Sequence, residues 1–321
     1  MTKKSSVFLS LLFGTSLLFS NTSLVTASEE KLSKAEIKKL KEVFKFSDEH
    51  IADLIEDGKV QEYLSIKKPI VSKKEDYYEI IKNGNEKRVE KVTKKEFKEK
   101  LEKEIKKNKK KIDDENNDPI STFDYDIEDD HDYITLETWF IYDEVEGDAQ
   151  ASARFEFADD SSTYGFLGDL YEDVLAIGIS DNASLVSGTE EFYLKFRKYG
   201  FNGEYDSYGH PIYEWTSMTR DDSRADTRDS GGYAFDVNFP SMNSERYQYI
   251  KNIRGYMKVE VTHRDSSWGG EMYDVWSHYL HSWEDVHLSY GLSIPPGGSI
   301  SWEYEDVSEK ITGHTQERIY D

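Results

Sequence analysis

Cysteine is missing altogether from the 321 residues. The chain therefore forms no disulfide, and it has no thiolate to serve as a nucleophile or to ligate zinc. Long apolar runs are missing too. The stretch from Val7 to Phe19 is diluted by Ser10, Gly14, Thr15 and Ser16, and it falls short of the roughly 20 residues a bilayer-crossing helix needs. Basic charge is scarce in one part of the chain only: residues 121–321 hold 14 Lys or Arg against 41 Asp or Glu, whereas residues 29–120 hold 25 against 23. A surface so acidic repels nucleic acid and polyanions, whose recognition needs clustered Lys and Arg, so nucleic-acid binding is set aside. Catalytic signatures are absent as well. There is no G-x-S-x-G elbow, H-E-x-x-H pair, phosphate-cradling glycine loop or dinucleotide fingerprint. A glycosidase needs only two carboxylates about 5 to 10 Å apart, and so many acids leave that option open without identifying a pair.

What is present begins with an export signal. Lys3 and Lys4 precede the apolar run, and Val25, Thr26 and Ala27 supply small side chains ahead of Glu29 and Glu30. That three-part pattern predicts a signal peptide over residues 1–27, cleavage after Ala27 and a secreted, extracellular mature chain. About 290 residues then remain, enough for two domains and a core that needs no covalent staples. Net negative charge of this size also keeps an exported domain dispersed.

Residues 28–111 read as a mostly helical module. Ser33 with Glu36 forms a capping box ahead of Ile37, Leu40 and Phe44, which predicts a helix over Lys34 to Lys45. Ser47 with Asp48 and Glu49 opens a second helix carrying Ile51, Leu54 and Ile55, closed at Gly58. Tyr77 to Ile81 and Arg88 to Val92 are strand candidates around Asn83-Gly84, and Thr93 with Glu96 starts a helix over Lys94 to Lys107. The charged stretch 112–131 is a linker, and a protease cutting at Lys109 to Lys111 would turn residues 28–111 into a propeptide.

Beyond Tyr133 the apolar period becomes two. Ala151, Ala153, Phe155 and Phe157 alternate with Gln150, Ser152, Arg154 and Glu156, as a strand with one wet face must. Phe192, Leu194 and Phe196, then Tyr233, Phe235 and Val237, then Met257, Val259 and Val261 repeat the pattern. Val174 to Ile179 is apolar throughout, which suits a strand covered on both sides. The fold class is α+β by domain: a small helical N-terminal module, then an antiparallel all-β sandwich or barrel-like domain over residues 132–321.

Four groups of residues are candidate sites. Trp268 and Trp283 lie in connecting segments where an aromatic face can stack on a sugar ring, although packing at the rim of a core explains each as simply. His281 and His287, with His263, can approach one another across neighbouring strands, while His278 and His281 fall on opposite faces of one strand. Asp124, Asp126, Glu128 and Asp130 are dense enough to bind calcium, the one cofactor considered, but lack the glycine and the twelfth-position glutamate of a helix-loop-helix site. Finally, Val286, Leu288, Tyr290 and Leu292, the turn Pro295 to Gly298, and Ile300, Trp302 and Tyr304 form an amphipathic hairpin. In its alternation it matches both a sandwich hairpin and one hairpin of an oligomeric membrane barrel.

The stretch Trp276 to Trp283, followed by that hairpin, resembles the terminal hairpins of secreted proteins of Gram-positive bacteria of unknown role. It is similar in part to β-rich bacteriocins of the lactococcin or geobacillin kind. The resemblance covers roughly 50 residues and implies no functional residue. Taken together, the sequence points to a non-enzymatic protein that binds an extracellular glycan, protein or target-cell surface. A secreted antimicrobial or pore-forming toxin and a glycan-directed hydrolase are the alternatives.

Overall fold

The computed structural model describes residues 32–83, 86–114, 129–158, 173–229, 231–237, 247–264, 268–282 and 308–320. Three short helices, α1 (Lys34–Glu42), α2 (Asp48–Glu56) and α3 (Val60–Ser65), lead into the hairpin of β1 (Pro69–Asn83) and β2 (Glu86–Val92). Helix α4 (Lys94–Asp114) follows, and then eleven strands among the described residues. These are β3 (Asp129–Asp143), β4 (Ala149–Phe157), β5 (Asp173–Ile179), β6 (Ala183–Leu185), β7 (Glu191–Tyr205), β8 (Pro211–Asp222), β9 (Thr227–Asp229), β10 (Gly232–Val237), β11 (Tyr247–His263), β12 (Met272–Ser282) and β13 (Ser308–Arg318).

The helices begin where their caps predict. Ser33 Oγ accepts the Glu36 amide while Glu36 returns a bond to the Ser33 amide, and Ser47 Oγ accepts from His50 N. Gly58, at φ 68°, takes the left-handed turn that ends α2. Helix α4 runs on to Asp114 with little apolar content, supported by i,i+4 pairs such as Lys95 with Glu99.

The strands form two open antiparallel sheets, packed as a sandwich. The first has the order β2-β1-β3-β4-β11-β7-β8, with β6 beside β11; the second has the order β13-β12-β5-β10-β9. The apolar face of the first sheet meets the second through Phe155 and Tyr279, with ring centroids 4.5 Å apart, and through Phe192 and Phe235 at 5.0 Å. Strand β5 is buried at every residue, as its unbroken apolar run requires. Gly255 is needed here because a Cβ would strike the Phe155 ring.

Two features differ from the sequence reading. Strand β1 pairs with β3 from Pro69–Asp143 to Asn83–Asp129, so the sheet crosses the segment read as a linker and includes part of the module before it. The face of β4 read as wet is also covered. Ser152 and Arg154 are buried beneath α1–α3, which pack a second core of Leu40, Phe44, Ile51, Leu54 and Tyr63 against Trp139 and Ile141. Period-two alternation shows which side of a strand is apolar, but it says nothing about what covers the other side. No helix among the described residues is long and apolar enough to cross a membrane.

Candidate functional site

Beneath the helices, the outer face of the first sheet is built from charge. Asp53 of α2, 1% exposed, accepts Arg254 Nε at 2.9 Å and Arg254 Nη2 at 2.7 Å, with Lys195 Nζ at 3.6 Å and Arg154 Nη2 at 3.8 Å. Lys195 also donates to Glu56 at 3.0 Å and Asp57 at 2.7 Å, and Lys258 donates to Glu62 at 2.7 Å. Burial lowers the pKa of the Lys195 ammonium, but the hydrogen bonds to Asp57 and Glu56 and the Asp53 charge outweigh it, and the net shift is upward. The sheet thus supplies cations and the helices supply anions. His50 stands among them with Phe46, Trp139 and Tyr256 around its ring. Burial, then the Arg154 and Lys73 charges, hold its imidazole well below the ordinary range.

The same face continues past the helices onto the β7–β8 hairpin. Inward residues of β7 are Phe192, Leu194 and Phe196; the outward ones are Tyr193, Lys195, Arg197 and Tyr199. Beyond Arg197 the outward positions become aromatic on both strands. Trp215 lies 5.5 Å from Tyr199, Tyr199 6.0 Å from Tyr213, Tyr213 6.2 Å from Phe201, and Phe201 5.2 Å from Tyr205, between ring centroids. Trp215, Tyr199, Tyr213 and Phe201 are half-buried, while Tyr205 is 63% exposed and Tyr208 at the tip is 85% exposed.

Among the described residues the hairpin runs on past the start of β11. Pairing of β7 with β11 ends at Tyr247–Gly200, and from Phe201 onward β7 pairs only with β8 among the described residues. Its turn is tied by Asp206, whose carboxylate accepts the amides of Tyr208 at 2.8 Å and His210 at 2.9 Å. Those backbone bonds hold the Asp206 carboxyl below its ordinary pKa. At the other end, where the ribbon meets α2, a cleft of about 220 Å³ opens between Glu56, Lys195, Arg197, Ser217, Thr219 and Asn252.

Those residues singled out from the sequence that are described lie elsewhere. Trp268 is half-buried, with Tyr142 at 5.4 Å, Tyr273 at 5.0 Å and His263 at 5.6 Å, so its ring is taken up by its own neighbours. His281 is buried beside Asp173, its Nδ1 3.2 Å from the carboxylate, which also accepts the Tyr279 hydroxyl and the Ser282 amide. His263 instead faces Glu271 at 3.4 Å. Trp283, His287 and the Pro295 hairpin lie outside the described residues, as do Asp124, Asp126 and Glu128; Asp130 is placed in β3 by its backbone. Among the described residues no group of acidic or histidine side chains is arranged to hold a metal. The sequence does not mark the ribbon plainly, because Gly200 and Gly203 interrupt its apolar pattern. The signal was present in Tyr199, Phe201, Tyr213 and Trp215, each two residues from the next on its own strand.

No family model matches the chain, and no curated protein matches it. Among solved structures, the NetB toxin of Clostridium perfringens in its membrane-inserted form aligns at a TM-score of 0.25 and 11% identity, over 58% of this chain and 91% of that one. A structure described as a pore forming protein aligns at a TM-score of 0.24 and 10% identity, over 58% of this chain and 86% of that one. Similarity at this level does not establish a common fold.

Proposed function

We propose that the mature chain is exported and acts outside the cell by contact and not by catalysis, with the β7–β8 ribbon as its contact surface. The row from Trp215 to Tyr205, left partly in water on a hairpin whose outer part pairs only with itself among the described residues, carries this reading. Contiguous aromatic surface exposed in this way is characteristic of interfaces, where Trp and Tyr supply most of the binding energy. Hydrolysis gains no support from the buried acids, since Asp53 is committed to cations and Asp173 to a hydroxyl, an amide and His281.

Retention on a panel of bacterial and animal cells tests the reading. The wild-type chain is expected to be held by at least one cell type. The variant Tyr199→Ser, Tyr213→Ser, Trp215→Ser is expected to lose tenfold or more in retention, about 1.4 kcal/mol or above, at unchanged circular dichroism. Equal retention of the two chains would refute it.

A second reading rests on the two-sidedness of the same ribbon. Opposite the aromatic row, β7 carries Lys198, Gly200 and Asn202, and β8 carries Glu214 and Thr216. One apolar and one polar face is the pattern of a strand in an oligomeric membrane barrel. Leakage of dye from liposomes together with detergent-resistant oligomers would favour a pore-forming toxin. Retention without leakage favours contact alone.

A further inference from the structure

The base of the ribbon differs from its tip in charge. Arg197 and Lys251 face each other across β7 and β11, with their charged groups 5.9 and 4.2 Å from the Trp215 ring centroid. Neither forms an ion pair among the described residues. That is notable in a part of the chain where 41 acids surround 14 bases. In the adjoining cleft Lys195 is neutralised by Glu56 and Asp57 and Arg254 by Asp53, which leaves Arg197 as the cleft cation without an ion pair among the described residues, with Ser217 and Thr219 beside it. Asn252, on the cleft wall, adopts φ 54° at the β11 bulge, and its Oδ1 has no hydrogen-bond partner among the described residues. A left-handed non-glycine residue with an orphaned acceptor is the kind of cost that sites of recognition retain.

We infer that the base of the ribbon binds a carboxylated sugar, of the sialic or uronic acid class, at the end of an otherwise neutral glycan. This rests on the contact role proposed for the ribbon. The carboxylate is taken by Arg197 and Lys251, the apolar face of the sugar ring lies on Tyr199, and ring hydroxyls meet Ser217 and Thr219. Charge complementarity selects this occupant over an anionic bilayer. A flat sheet of anionic headgroups also meets the acid that borders the pair, Glu56, 63% exposed on the cleft wall, and the net negative charge of residues 121–321. A single carboxylate meets the cation pair within about one Debye length, roughly 8 Å at physiological salt, and feels little beyond it. The rings are also mostly phenols, suited to a ligand that presents hydroxyls.

The test is titration of the full mature chain, followed by tryptophan fluorescence, with sialyllactose, with lactose and with phosphatidylserine vesicles. Sialyllactose is expected to bind about tenfold more tightly than lactose, with the preference shrinking as salt rises. Arg197→Gln with Lys251→Gln is expected to bring the two sugars within about twofold of each other while the weaker lactose binding persists, and Tyr199→Ser to weaken both. Equal binding of the two sugars, binding of neither, or vesicle binding alone would overturn the inference. The contact reading is judged separately: if the triple aromatic variant loses cell retention while the acidic sugar gains no preference, the ribbon remains the contact surface and only its assigned ligand falls.

Discussion

Asp53 shows how a single side chain can join two parts of this chain. It is the carboxylate on which Arg254, Lys195 and Arg154 converge, and it reaches them from a nine-residue helix. Replacing it with alanine strips Arg254 of its bidentate partner, while Lys195 keeps Glu56 and Asp57 and Arg154 keeps Glu137 and Glu156. Removing one partner of a buried ion pair costs about 3–5 kcal/mol, so Asp53→Ala is expected to lower the denaturation midpoint by that equivalent in urea unfolding. A loss below about 1 kcal/mol would show that water already screens the cluster. His50 lies in the same layer and carries a pH dependence. Its pKa is lower in the folded state, so the unfolded chain binds more protons, and the stability contributed by the neutral imidazole falls as pH drops below about 6.5. The expected slope from this group is about 1.4 kcal/mol per pH unit, and His50→Phe should flatten it in melts between pH 5 and 7. An unchanged slope would move the effect to another group. None of this layer was legible in the sequence. Asp53 reads as an ordinary polar residue of an amphipathic helix and Arg154 as the wet side of a strand, because a sequence shows alternation but not which surfaces meet.

At the scale of elements, legibility followed the strength of the local signal. The caps at Ser33, Ser47 and Thr93 locate three helix starts, and the alternation in β4, β7, β10 and β11 locates those strands. In the sequence strand β1 is legible only from Tyr77, since Lys73, Lys74, Glu75 and Asp76 break the apolar pattern. The strand nevertheless continues back to Pro69 by pairing with β3. Helix α3 has no side-chain cap, and it is held by burial of Val60 and Tyr63 and by the 2.6 Å bond between the Tyr63 and Tyr256 hydroxyls. Of the candidate site, no residue stands out by itself in the sequence: Trp215 is one tryptophan among six. The row it belongs to spans two strands and a tip, and it becomes a row only once β7 and β8 are in register. That register places Tyr199 against Trp215 and Phe201 against Tyr213. A consequence for the linker follows from β1. If a specific protease site is inserted between Asp114 and Asp129 and cut, the two pieces are expected to co-elute on size exclusion. They remain joined by the β1–β3 ladder and by the Asp53 and Lys258 ion pairs. Separation of the pieces in the absence of denaturant would contradict this and would revive a removable propeptide.

For the whole molecule, the uneven charge takes on a geometric meaning. The helices bring Asp53, Asp57 and Glu62 to the sheet face where Lys195, Arg254 and Lys258 are concentrated, Glu137 and Glu156 of the sheet itself hold Arg154, and this pairing under α1–α3 consumes most of that positive charge. What remains is Arg197 and Lys251 at the edge of the helical cover, at the head of an aromatic row leading away from it. Core, ionic layer and ribbon are therefore successive zones of one sheet. The central claim, that this protein works by contact through the ribbon, is most directly tested by amide hydrogen exchange of the mature chain, free and held on the envelope of a cell type that retains it. The account predicts that protection on contact is concentrated in peptides covering residues 197–217, with α1–α3 unchanged. Protection confined to other surfaces, with the ribbon exchanging as fast as in the free chain, would contradict it.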